Sequence, residues 1–367
     1  MNGTGSPKAL HLGVVLSVLL MLTACAGPGV EEDAGEVYWP KPPDMPRFVH
    51  AATLRDADSL KEISAAKRLR QGITGYAAKD EPLFAKPYGI AARSGTVVVT
   101  DTVLRHGFIF NFWRRKIYPF GNVGDEGVLS KPMGLAMDKG MNIYVADVTR
   151  RQVVVFDSMG MYLRTVGRAE DLDRPVDVAV TPDGSRIYVI DAGGIDSRRH
   201  RLLIYDAEGR LVSAIGRRGG GEGEFNLPTH IALAPDGTIY VLDSGNFRIQ
   251  AFDPQGRFLR SWGKVGRDFG DLARPRGLAV DEEGRIYVTD AAYRNFQIFT
   301  PKGRLLLSVG GDDLYDKPGH FALPAGIATD ERGFVYVVDQ LFLKVEVFHR
   351  LSEGEAKRIM AEDPAYH

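Results

Sequence analysis

From about residue 80 onward the chain repeats itself, and this periodicity restricts its fold more than any other feature. Four copies align by inspection: KPMGLAMDKGMNIYVADVTRRQVVVFDSMGMYLRTVG from Lys131, LPTHIALAPDGTIYVLDSGNFRIQAFDPQGRFLRSWG from Leu227, RPRGLAVDEEGRIYVTDAAYRNFQIFTPKGRLLLSVG from Arg274, and LPAGIATDERGFVYVVDQLFLKVEVFHR from Leu323. Two looser copies begin at Lys86 and Arg174. One aspartate anchors each copy, at Asp101, Asp147, Asp191, Asp243, Asp290 and Asp339, with spacings of 46, 44, 52, 47 and 49 residues. A period of roughly 40–50 residues indicates a propeller or a solenoid. Each copy breaks into four short runs separated by turns such as PDG and PQG, and alternating runs like IYVLD are the mark of strands. No stretch has a 3.6-residue period, so helical repeats are excluded. Four strands per repeat, here lettered a to d, make a propeller blade.

The ends set the blade number. The last copy has strands a, b and c but no d, and a spare strand, RFVHAATL, lies at 47–54. Pairing it onto the last copy closes the ring and removes an exposed sheet edge. The expectation is an all-β, six-bladed propeller spanning 47–350, followed by a charged tail at 351–367. A short amphipathic helix is expected over 56–70, capped by Asp56 or Asp58.

The shared pattern P-x-G-[IL]-A-x-D-x-x-G-x-[IV]-Y-V-x-D, followed by an F-D-x-x-G turn, resembles the NHL repeat. The resemblance covers six copies and implies a propeller fold. NHL propellers include scaffolds, sensor domains, RNA binders and a few enzymes, so the fold leaves the function open.

The amino terminus carries Lys8 and then an apolar run from Leu10 to Leu22, which is short for a membrane span and reads as an export signal over 1–24. The sequence Leu22-Thr23-Ala24-Cys25 resembles the bacterial lipobox, and Cys25 is the only cysteine in the chain. The resemblance implies acylation of Cys25, cleavage before it, and a lipid anchor in a bacterial envelope. Ala26 in place of Asp points, by analogy with enteric sorting, to the outer membrane. A Pro- and Gly-rich stretch at 25–46 reads as a tether, with the segment around Trp39 and Pro40 docking on the body. The whole chain looks like an NHL lipoprotein of Gram-negative bacteria.

Lys and Arg number 46 against 47 Asp and Glu, a net charge of −1. A polyanion binder is usually basic, so nucleic acid is not the expected partner. The d–a loops, such as 217–226 and 264–273, are longer than the a–b and c–d turns. They share one face with the b–c loops, and long polar loops on a rigid scaffold are where binding sits. The six anchor aspartates recur in every blade and read as structural. Each should accept backbone N–H groups of its b–c turn and pair with the polar side chain further on: His106, Gln152, Arg201, Arg248, Asn295 or Lys344.

The second residue after each repeat proline is Gly89, Gly134, Gly277 or Gly326, except in two neighbouring blades that place Asp177 and His230 there. With Arg276, these should face the channel. An Asp–His pair plugs a channel through a mutual hydrogen bond, orients an imidazole for base chemistry or binds a metal. Arg151, Arg199, Arg218, Arg248 and Arg294 are expected around it and suit planar anionic groups. The metal-binding propeller of the peptide-amidating lyase is a poor match, since only His230 has a similar neighbourhood. No motif for catalysis, metal or cofactor binding is present. The leading expectation is a non-catalytic scaffold that binds an envelope protein or an anionic envelope ligand on the b–c/d–a face. The alternative is a lyase or lactone hydrolase, with or without a metal, at the channel mouth.

Overall fold

The computed structural model describes residues 37–60, 82–194, 196–310 and 314–366. The export signal, Cys25, the tether up to residue 36 and most of the helix expected at 56–70 lie outside the described residues. No helix among the described residues is long and apolar enough to cross a membrane.

Six antiparallel sheets form the six blades. Blades 1 to 5 begin with a strands at Pro87–Arg93, Pro132–Met137, Pro175–Val180, His230–Leu233 and Pro275–Val280. Blade 6 begins at Pro324–Thr329. The a strands touch in ring order, with blade 6 against blade 1. Strand b of each blade is buried almost throughout, as in Ile239–Asp243 and Ile286–Asp290, because neighbouring blades cover both faces. The hydrophobic core is accordingly split into six clusters, one between each pair of adjacent blades. The strand-b tyrosines reach polar ends inside it. Tyr287 and Tyr336 donate to Asp281 and Asp330 of the a–b turns at 2.9 and 3.1 Å, so large rings are buried without stranding a hydroxyl.

Residues at the end of strand b and just beyond it clip each blade to the next. Thr289 Oγ1 donates to Ala325 O at 2.6 Å, and Gln340 Nε2 donates to Pro87 O at 2.9 Å, which joins blade 6 to blade 1.

The sixth sheet has five strands. Strand β2 (Phe48–Leu54) pairs antiparallel with strand c of blade 6, Phe48 opposite Arg350 and Leu54 opposite Val345. Outside it lies β1 (Tyr38–Trp39), opposite Val49 and Phe48. The folded body therefore starts at Val37 and takes in the last ten residues assigned to the tether. Trp39 is the reason. Its ring packs edge-on to Phe348 at 5.3 Å, and its Nε1 donates to Gly310 O at 3.2 Å.

A buried charge network also holds β2. Glu346 is fully buried and accepts from His50 Nε2 at 2.6 Å and Thr53 Oγ1 at 2.8 Å. Lys344 pairs with Glu346 and, at 3.0 Å, with Asp316. The charged tail is also more ordered than its composition implies. A helix, α1 (Glu353–Glu362), starts in a capping box made by Ser352 and Glu355 and buries Ala356.

Candidate functional site

All six anchor aspartates are fully buried. Asp101 shows what they do. Its Oδ2 accepts from the backbone N of Ala85 and Lys86 at 2.8 and 2.7 Å, and its Oδ1 accepts from Val103 and Leu104, both at 2.9 Å. One carboxylate thus staples the incoming loop to the b–c turn. Asp147, Asp290 and Asp339 repeat the arrangement. Asp191 and Asp243 also use side-chain partners, Arg201 at 2.6 Å and Arg248 at 2.8 Å. The pairing expected further along the chain holds directly only in these two blades. Lys344 serves Glu346 and Asp316 instead.

Arg248 is consequently not a surface binding group. Its guanidinium also donates to the carbonyls of Gly220, Gly221 and Glu224 at 2.9, 2.7 and 2.9 Å, which spends its donors inside the loop. Arg199 and Arg218 are exposed on the b–c/d–a face, as is Arg151. Arg151 and the half-buried Arg294 both sit at a left-handed position, φ 54°, ending their b–c turns. The equivalent turn residues elsewhere are Arg105, Phe247 and Leu343. The turn sets the backbone there, and the residue type varies.

Asp177 and His230 are both buried in the channel, but they do not bond to each other. Asp177 Oδ2 accepts from Ile231 N at 2.9 Å. Both ring nitrogens of His230 lack any partner. The imidazole instead stacks on Tyr88 of blade 1, with ring centroids 5.7 Å apart and planes at 20°. Arg276, half-buried, reaches over Tyr88 at 6.0 Å and donates to Gln340 Oε1 at 3.1 Å. Neither hydrogen-bonded version of the pair, the mutual plug or the oriented base, is formed.

The repeat glycines explain the tightness. A Cβ at Gly134 would lie 1.8 Å from Asp177 Oδ1, and one at Gly326 would lie 2.3 Å from Tyr88 O. Bare backbone lets the a strands close up at this level. Burial dominates the charges. It pushes the Asp177 carboxyl up to about 8, the Ile231 and Val178 N–H groups opposing it only in part. Burial, aided by the Arg276 cation, holds His230 down at about 3. At neutral pH Asp177 is a neutral acid and His230 a neutral imidazole.

The loop face carries something the sequence reading missed. Of seventeen large apolar side chains exposed among the described residues, nine are on the b–c and d–a loops. They include Phe269 at 93%, Val123 at 82% and Tyr315 at 67% exposure. The signal was present as apolar residues in otherwise polar loops. Among the described residues no three His, Cys, Asp or Glu side chains are grouped to hold a metal ion.

Comparison with known proteins agrees with this architecture. An NHL-repeat profile matches residues 272–300, and a six-bladed β-propeller profile matches residues 178–262. A gluconolactonase from Xanthomonas campestris is similar at 18% identity and a TM-score of 0.55, over 73% of this chain and 87% of that one. A virginiamycin B lyase from Staphylococcus aureus, solved with quinupristin, is similar at 14% identity and a TM-score of 0.52, over 72% of this chain and 95% of that one. A structural genomics protein from Bacteroides thetaiotaomicron gives 16% identity and a TM-score of 0.58, over 73% of this chain and 70% of that one. At these identities the shared property is the fold.

Proposed function

We propose that this six-bladed propeller of NHL repeats is a non-catalytic binding module whose b–c/d–a face docks a protein in the bacterial envelope. The carrying observation is the set of nine exposed apolar loop residues on that face, interspersed with Arg151, Arg199 and Arg218. Large apolar and aromatic side chains together with arginine are the usual composition of interface anchors. Exposed apolar groups gathered on one face mark interaction surfaces. The channel end on the same face is closed by Tyr88, His230 and Arg276, which disfavours chemistry there. A lipid anchor at Cys25 completes the reading and would hold the propeller at a membrane. It is tested by Cys25→Ser with labelled palmitate; label retained by the variant refutes it.

The docking test is cross-linking in intact cells followed by mass spectrometry. Phe269→Asp with Leu341→Asp should lose the protein captured by the wild-type chain, while Trp113→Asp, on the opposite face, should keep it. Capture unchanged by the first pair overturns the proposal. So does saturable binding of the Cys25→Ser chain to protein-free anionic vesicles that is lost with Phe269→Asp, because the apolar loops would then be reading lipid.

A further inference from the structure

Between the a–b turns, on the face opposite the b–c/d–a loops, all six blades line a cavity of about 470 Å³. That is within the roughly 300–1,000 Å³ of small-molecule sites. Its walls mix the apolar side chains Ala92, Val180, Leu233 and Val280, at the ends of the a strands, with the polar Thr181, Tyr188 and Thr329. Deeper in, the glycine level and the Tyr88–His230 stack close the channel, so the cavity is a blind funnel.

The charges around it are unevenly committed. Asp281 is held by Arg285 at 2.7 Å and Tyr287 at 2.9 Å, and Asp330 is held by Arg332 and Tyr336 at 3.0 and 3.1 Å. These carboxylates belong to the turns. Four lining groups remain: Arg93, Lys139, Glu282 and Glu331. Glu331 Oε1 accepts one backbone bond, from Ser94 N at 2.8 Å. The side chains of Arg93, Lys139 and Glu282 form no ion pair among the described residues. Arg93 and Lys139 belong to blades 1 and 2, and Glu282 and Glu331 to blades 5 and 6. In a ring of six, blade 2 stands opposite blade 5, so Lys139 and Glu282 are opposite poles of one funnel.

We propose that this funnel binds a short zwitterionic peptide, its ammonium end toward Glu282 and Glu331 and its carboxylate end toward Lys139 and Arg93. A purely anionic ligand would meet two carboxylates, and a purely cationic one would meet two cations. A ligand carrying both charges on an apolar body satisfies rim and wall together. The site uses residues of the face opposite the docking loops, so the two readings stand or fall separately.

The test is calorimetric titration of the full-length chain with tetra-alanine, free at both ends, and with its N-acetyl and C-amide forms. The free peptide should bind saturably. Capping either end should weaken binding about threefold to fivefold, the scale of partly exposed ion pairs. Glu282→Gln should shrink the penalty of N-acetylation alone, and Lys139→Met that of C-amidation alone, as coupled partners do. Leu233→Trp, which fills the funnel, should abolish binding while the circular dichroism spectrum is kept. The exposed-rim variants decide the matter if Leu233→Trp does not fold. No saturable binding, or binding indifferent to both caps, overturns the proposal.

Discussion

His230 buries two ring nitrogens with no hydrogen-bond partner. A buried polar group left unmade costs about 1–3 kcal/mol. His230→Phe should therefore raise the melting temperature, with a gain of about 1 kcal/mol or more. Its folded-state value, about 3, lies below the ordinary 6.5, so protonation favours the unfolded chain as pH falls through 6.5. The advantage of the Phe variant should thus be larger at pH 5 than at pH 7.5. Asp177 runs the other way. Its folded value, about 8, lies above the ordinary 3.8. Stability from the neutral acid is complete below 3.8 and is lost as pH rises toward 8. Asp177→Asn removes that loss, so its melting temperature relative to wild type should climb between pH 5 and pH 8; parallel curves would refute the buried neutral acid. Both positions were legible in the sequence, because each interrupts a glycine repeat. Their contacts were not. Periodicity places a residue in its own blade, whereas the partner of His230, Tyr88, comes from across the ring at a position where each of the six blades carries a different residue type.

At the level of elements, the seam of blade 6 concentrates the energetics. Trp39→Ala removes a ring that is 4% exposed and should cost about 3 kcal/mol in denaturant unfolding. If its loss were neutral, β1 would not belong to the body. Lys344→Met leaves Glu346 buried without its cation and should cost about 3–5 kcal/mol. Burial pushes Glu346 up, but the His50 hydrogen bond and the Lys344 ammonium outweigh it and hold the carboxyl below its ordinary 4.5. Its contribution is therefore present above that value and fades as pH falls further. Wild type should lose stability on acidification below pH 4.5 more steeply than Glu346→Gln. Strand β2 was legible because the last repeat lacked a partner for its c strand. Strand β1 was legible only as a docking segment around Trp39, since two residues ahead of a proline carry no period and the pairing itself shows only in the structure. The helix at the carboxyl terminus did have its signal, Ser352 with Glu355 three residues on, in a segment whose charges suggested only a tail.

For the molecule as a whole, the ring joins its first strand to its last blade. Strand β2 at 48–54 pairs with a strand at 344–350, so almost the entire chain separates the two halves of one sheet. An open solenoid gains stability repeat by repeat as it grows. Here the sheet that removes the last free edges is finished only when residues 344–350 arrive. During synthesis the strand made first must wait for the one made last, and every shorter product keeps unpaired edges on both sides of the gap. A series of chains truncated at successive blade boundaries should stay protease-sensitive throughout, with resistance appearing in one step once residue 350 is included. Resistance that rose evenly with blade number would show that the blades mature independently. The seam thus works as a latch: a product that stops before residue 350 leaves strand edges open to pairing with other chains, and one that includes it hides them.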